Sequence, residues 1–245
     1  MQRSTDRILT THVGSLIRPD ELLTYIRPLQ AGEPYDLAAY AACLTSSVAD
    51  IVRHQAAAGL DVISDGEFGK SISWSQYALE RLSGFEQRPI SAEGNAFAQG
   101  ADRERFAAFY EELDGKQKYA TVNEAVCVGP IAYTGLAEVE QDIANFKAAL
   151  AQADVTEGFL PVAAPSSVIP DRRNEFYASE DDCLEAIGKA MQVEYNAIVD
   201  AGLLLQLDDA RATVTYDRMV PPGTFAEYRD WVAKHVAVLN LALEG

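Results

Sequence analysis

The chain has 245 residues, 48% of them hydrophobic and 23% charged, the balance of a globular protein with a real core rather than a disordered segment. A formal net charge of −17 repels phosphodiester backbones and anionic lipid, which argues against nucleic-acid and membrane-surface partners. Three scattered cysteines (Cys43, Cys127, Cys183), no CxxC pair and no apolar run suited to secretion or membrane crossing predict a soluble cytoplasmic protein.

Ile8–Leu16 reads as a short β-prone run ended by Arg18-Pro19, and Pro19–Leu29 as a short helix. Asp36 can cap a long helix over Leu37–Ala58, with Gly59 as its C-terminal stop. Leu60–Ser64 follows as a compact apolar strand ending in Asp65-Gly66-Glu67. Residues 69–120 lack β-branched runs and carry the loop markers Gly84, Pro89, Gly94 and Gly100. They predict a long excursion with one helix near Asp102–Leu113.

Strand signals resume at Val122–Val128, followed by Gly129-Pro130 and a helix over Val139–Ala151. Gly158–Val162 is a further strand with Pro165-Ser166-Ser167 at its end. Glu180–Ala201 is amphipathic at helical spacing and is closed by Gly202. Leu203–Leu207 is the next strand, ending at Asp208-Asp209, and Phe225–Leu243 is the last helix.

Strands alternating with helices imply parallel strands joined by helical crossovers, an α/β fold of the (β/α)8 TIM-barrel type. About five such strands are legible, against the eight of a complete barrel. The expectation is one partial-barrel domain over residues 1–245, with about five βα units, its strands parallel and adjacent in chain order. Polar clusters fall at the strand ends where α/β folds place their chemistry: Ser15, Asp65 with Glu67, Ser166 with Ser167, and Asp208 with Asp209. No GxGxxG or GxxxxGK[ST] loop follows any strand, which removes support for nucleotide binding.

Each of these residues also has a plainer reading. Ser15 can cap a turn, and Glu67 or Asp208 can cap a helix or pair with Arg18 and Lys70. His12 can be a strand-end histidine, Cys127 a small buried hydrophobe, and Ser166 and Ser167 loop hydrogen-bonders.

Five segments together are more specific: THVGSL at residues 11–16 with Arg18-Pro19, GLDVISDGEF at 59–68, GPIAYTG at 129–135, GFLPVAAPSSV at 158–168, and DAGLLLQLDD at 200–209. In this order they resemble the cobalamin-independent methionine synthase family, above all its short single-barrel members. The resemblance implies a zinc enzyme, a 5-methyltetrahydropteroyltriglutamate–homocysteine S-methyltransferase, that moves a methyl group from a reduced folate to a thiol amino acid. Metal coordination keeps such a thiol as its nucleophilic thiolate at neutral pH.

By the same resemblance Val13, Gly14 and Ser15 contact the amino acid substrate, Glu67 helps hold it, and Asp208 pairs with its ammonium group. His12, Asp65, Asp209 and Ser166 are further pocket candidates, and no residue is assigned to the chemical step. The family's zinc ligands, a His-x-Cys pair, a carboxylate and a later cysteine, lie beyond the fifth strand. The 245 residues stop ahead of them, so the expectation is that this chain lacks the zinc ligands and is completed by an oligomeric partner or a complementary chain. Two alternatives stand beside the methyltransferase reading: a non-catalytic or split-subunit protein that keeps amino-acid binding, and a thiol alkyltransferase of the coenzyme M epoxide type. Uroporphyrinogen decarboxylase shares the fold family, but its arginine-rich pocket is not visible in this sequence.

Overall fold

The computed structural model describes residues 1–70, 76–89, 100–116, 123–168 and 173–244. In chain order these form α1 (Asp20–Ala31), α2 (Leu37–Ala57), β1 (Val62–Ser64), α3 (Gln76–Glu80), β2 (Phe85–Pro89), α4 (Ala101–Arg105), α5 (Ala107–Lys116) and β3 (Asn123–Cys127). There follow α6 (Leu136–Leu150), β4 (Glu157–Ala163), α7 (Pro165–Val168), β5 (Arg173–Asn174), α8 (Glu180–Asp200), β6 (Leu204–Asp208), α9 (Ala210–Met219) and α10 (Phe225–Ala242). The chain divides into two compact units.

The first unit comprises Met1–Tyr77, Gly135–Val162 and Val193–Leu207. Its sheet has the order β1-β4-β6, and β1 runs parallel to β4 with Ile63 opposite Gly158. Helix α2 begins where the sequence places it, because the Asp36 carboxylate accepts the Ala39 amide at 3.0 Å. It packs against α6, whose apolar stripe includes Val139, Ile143 and Phe146. Gly158 lets α6 approach the sheet: a Cβ there would lie 3.0 Å from the Phe146 ring. Gln55 of α2 clamps the end of β1, accepting the Ser64 amide (3.2 Å) and donating to the Ser64 carbonyl (2.7 Å).

The first expected strand does not form. Only an isolated parallel bridge joins Thr11 to Val62, and Ile8, Val13 and Ile17 stand exposed. The physical reason lies in Asp61, whose carboxylate takes the Thr10 amide (2.8 Å), the Thr10 hydroxyl (3.1 Å) and the Arg7 guanidinium. That side-chain anchor uses up an amide a ladder would need.

The second unit comprises Ala78–Thr134, Ala163–Gln192 and Asp208–Gly245. It holds a separate sheet of order β2-β3-β5, with β2 antiparallel and β5 parallel to β3. The expectation of five parallel strands adjacent in chain order is therefore corrected, since the strand expected over residues 122–128 belongs to this other sheet. Its partner β2, Phe-Glu-Gln-Arg-Pro, falls within the excursion expected to lack strands. Two charges and a glutamine conceal it, and its proline sits at the strand end, where a lost donor is tolerated.

The helix expected over 102–113 is broken at Phe106 (φ −115°, ψ 37°) into α4 and α5. Helix α9, rich in threonine and charge, was not expected at all. Helix α10 starts with a capping box, Thr224 and Glu227 each serving the other's backbone amide. Among the described residues no helix is long and apolar enough to cross a membrane.

Candidate functional site

The densest polar construction in the first unit is the turn Asp65–Lys70 that leaves β1. Glu67 adopts φ 62°, the left-handed region that a residue with a Cβ avoids, and it is the sole non-glycine with positive φ among the described residues. The surroundings hold it there. Its amide donates to Asp65 Oδ1 (2.9 Å), while its carbonyl accepts from Arg18 Nη2 (2.7 Å) and from the Lys70 amide (3.3 Å). Arg18 Nη2 also donates to the Lys70 carbonyl (3.2 Å). Gly66 supplies a second positive φ, its amide donating to Ser64 Oγ (3.2 Å) and its carbonyl accepting the Leu16 amide (3.1 Å). Backbone strain of this kind persists only where neighbours over-determine it, and it gathers at working sites.

The side chains of this turn are buried and charged. Asp65 is 2% exposed, Glu67 6%, Lys70 6% and Asp142, which reaches in from α6, 8%. Lys70 Nζ donates to the Pro161 carbonyl on β4 and lies 4.6 Å from the centre of the Tyr77 ring. Asp142 presses so closely on Gly69 that a Cβ there would collide with its carboxylate. Burial, the largest effect, pushes the Asp65 carboxyl up to about 6; Asp142 and Glu67 add to this, while Lys70 and the Glu67 amide oppose it. Burial also lowers the Arg18 guanidinium, against the pull of Glu67 and Asp65. The Glu67 carboxylate itself meets no hydrogen-bond donor among the described residues.

The Leu16–Gly66 bond sets the segment His12–Ser15 beside this turn. His12, Val13 and Ser15 are exposed, and Gly14 has φ 94°. Of the residues expected at the site, the first unit holds His12, Val13, Gly14, Ser15, Asp65 and Glu67, and the Leu16–Gly66 hydrogen bond ties their two segments together. Glu67 accepts from the Arg18 side chain and the Lys70 amide through its backbone carbonyl, and its carboxylate attracts the Arg18 guanidinium, so the plainer reading of Glu67 as a partner of Arg18 holds.

The second unit carries the other cluster. Asp208 ends β6, and its carbonyl accepts the Ala164 amide (3.0 Å). Asp209 Oδ1 accepts both serine hydroxyls, Ser166 at 2.6 Å and Ser167 at 3.0 Å, and Ser167 Oγ accepts the Arg211 amide at 3.1 Å. Ser167 is fully buried. The serines are hydrogen-bonders of a one-turn helix, and Asp209 is the residue that organises them, a role the sequence did not suggest.

Asp142 went unrecognised in the sequence, although a signal existed. It stands between Val139 and Ile143 on the inward stripe of α6, where a lone carboxylate is out of place unless something buried requires it.

The described residues do not fit a thiolate zinc site. Among them no three His, Cys, Asp or Glu side chains stand together as metal ligands. Cys43 lies on α2 beside Ser47, Cys127 on β3 pointing to the Gly129 carbonyl, and Cys183 on α8, all buried. His235 is stacked on Trp231 with its Nδ1 at the Trp231 carbonyl. Tetrahedral zinc needs three or four convergent N, S or O ligands.

No family model matches the chain, and no curated protein matches its sequence. Solved structures do match. A B12-independent methionine synthase from Shewanella sp. W3-18-1, in complex with selenomethionine, superposes at a TM-score of 0.63 and 18% identity over 96% of this chain and 58% of its own. A protein assigned as a vitamin-B12-independent methionine synthase from Listeria monocytogenes superposes at 0.60 and 22% identity over 94% of this chain and 63% of its own. The chain thus spans about three-fifths of the length of these two proteins. At such identities the likeness is one of fold, and this chain has the fold of the part of the B12-independent methionine synthases that it covers.

Proposed function

We propose that this chain binds an α-amino acid of the methionine and homocysteine class, with its ammonium group on Glu67, and that it serves methyl transfer from a reduced folate to the homocysteine thiol. One observation carries the reading: a buried carboxylate that accepts no hydrogen bond from a described residue is held in a strained turn by Asp65 and Arg18. Holding a carboxylate 6% exposed with no described hydrogen-bond donor has a desolvation cost that the electrostatic pull of Arg18 offsets only in part. A cationic ligand group offsets that cost, and a charge-assisted hydrogen bond also orients the ligand. Ser15 and the backbone of Val13 and Gly14, beside the turn, supply contacts to the rest of the amino acid. By the resemblance Asp208 would also meet an ammonium group, and weaker amino-acid binding by Asp208→Asn in titration calorimetry is the test of that assignment. The selenomethionine complex of the Shewanella protein supports the choice of ligand class.

The reading is tested by titration calorimetry with L-selenomethionine and L-homocysteine, and by a methyl-transfer assay with a reduced methylfolate. Saturable amino-acid binding that Glu67→Gln weakens by tenfold or more supports the site. Turnover separates a methyltransferase from a protein that only binds. Absence of binding to either amino acid contradicts the proposal.

A further inference from the structure

The half-buried Arg18 guanidinium stands beside Glu67 with donors to spare. Its Nη2 is committed to two main-chain acceptors, the carbonyls of Glu67 (2.7 Å) and Lys70 (3.2 Å). Its Nε is buried without a hydrogen-bond partner, and Nη1 makes no hydrogen bond among the described residues. Of the charges around the guanidinium the Glu67 carboxylate attracts it most, ahead of Asp65, yet guanidinium and carboxylate form neither a hydrogen bond nor an ion pair. The two main-chain bonds explain the gap, since Arg18 cannot swing onto the carboxylate without giving up a carbonyl. Tyr40 of α2 borders Arg18, and its ring is itself packed by Tyr35 (5.7 Å) and Tyr25 (6.1 Å). Lys70, the other cation of the turn, already donates to the Pro161 carbonyl beside the Tyr77 ring.

An acid and a base held close but unbonded match a ligand that carries both charges at short separation. An α-amino acid is such a ligand, with ammonium and carboxylate on one carbon. A simple amine would satisfy Glu67 and leave the guanidinium unmet. We propose, resting on the amino-acid reading above, that Arg18 Nη1 donates to the α-carboxylate of the ligand whose ammonium meets Glu67, so that the Arg18–Glu67 pair selects a zwitterion over an amine. Arg18 then has two duties. Through Nη2 it positions the turn, and through Nη1 it sets specificity.

The test is calorimetry of the full chain at pH 7.5 with L-methionine and with 3-(methylthio)propylamine, which keeps the ammonium and thioether and lacks the carboxylate. Wild type should bind methionine at least about tenfold more tightly, the size of one charge-assisted hydrogen bond. Arg18→Gln should weaken methionine by about tenfold or more and leave the amine within about threefold, because only methionine loses a partner. Arg18→Lys, which keeps the charge, should recover part of the loss. The amine thereby reports whether the turn survives the substitution. A further measurement needs no variant: in the 15N side-chain spectrum of wild-type protein, the Arg18 guanidinium resonances should shift with methionine and stay in place with the amine. Equal affinity of wild type for the two ligands, equal losses for both in Arg18→Gln, or resonances unmoved by methionine overturn this inference alone. If neither ligand binds wild type, the amino-acid reading falls and this inference with it.

Discussion

The Asp65 carboxylate accepts the backbone amide of Glu67 at 2.9 Å while Glu67 sits at φ 62°, so one acidic side chain holds the next acidic residue in a conformation it would not choose. The two carboxyls also repel, and that repulsion helps raise the Asp65 midpoint. An arrangement that joins buried like charges and backbone strain works against stability. Combinations of this kind gather at functional sites.

Asp65→Asn should therefore stabilise the free protein at neutral pH. A carboxyl displaced upward to about 6 in the folded chain binds its proton more tightly there than in the unfolded chain, whose value is about 3.9. Between these values the folded state holds the proton and the unfolded state has lost it, so stability falls as pH rises from about 4 to 6. The penalty is fully present above that window. That displacement is already net of the attraction to Lys70, and it corresponds to a gain of about 1–3 kcal/mol at pH 7.5 and little at pH 4. Urea unfolding of both proteins at the two pH values measures it; a variant less stable at pH 7.5 than wild type contradicts the account.

Gly69→Ala should destabilise the chain through Asp142. The added Cβ would collide with the Asp142 carboxylate, and overpacking of a buried site costs about 1–3 kcal/mol. If the collision is the cause, most of the cost should vanish in an Asp142→Ala background. A double-mutant cycle on unfolding free energies reports this, and strictly additive effects would show that Gly69 is needed for another reason.

Asp209→Ala should loosen the second unit. It removes the acceptor of both the Ser166 and Ser167 hydroxyls and leaves the fully buried Ser167 with one bond fewer. A loss of about 2–4 kcal/mol is expected, from two hydrogen bonds to a charged group and the desolvation of what remains. Asp209→Asn, which keeps an oxygen acceptor, should recover a good part of it. Equal stability of the alanine variant and wild type would remove Asp209 from its organising role.

Much of the helical layout was legible because helices announce their own ends. Asp36 before α2, Gly59 after it and Gly202 after α8 are local signals, and each marks a boundary in the structure to within about two residues. The α/β character was legible for the same reason, from compact apolar runs such as those of β4 and β6 set between amphipathic helices. Sheet membership was not. β3 has the composition of a central strand, but its pairing is decided by β2, whose Glu86 and Arg88 carry no strand signal, and pairing between distant segments is invisible to periodicity. The run Ile8–Leu16 formed no strand beyond the Thr11–Val62 bridge, because Asp61, outside the run, captured the Thr10 amide.

At the site, the resemblance drew attention to Glu67 and its neighbour Asp65. Asp142 and the clasp of Asp209 on two serines were not legible, because both depend on which buried polar groups meet in three dimensions. The left-handed conformation of Glu67 was equally hidden, since nothing in Asp-Gly-Glu requires the third residue to be the strained one.

Whether Glu67 receives the ammonium group of an amino acid is decided by calorimetry of L-selenomethionine binding to wild type and Glu67→Gln at pH 7.5. The glutamine keeps the size and the hydrogen-bonding oxygen but not the charge, so the loss isolates the charge-assisted contact, about 1.5–3 kcal/mol or some ten- to hundredfold in affinity. Saturable binding to wild type, with at least a tenfold loss in Glu67→Gln, is the predicted result. Equal affinity for both proteins, or no binding to the wild type, would contradict it.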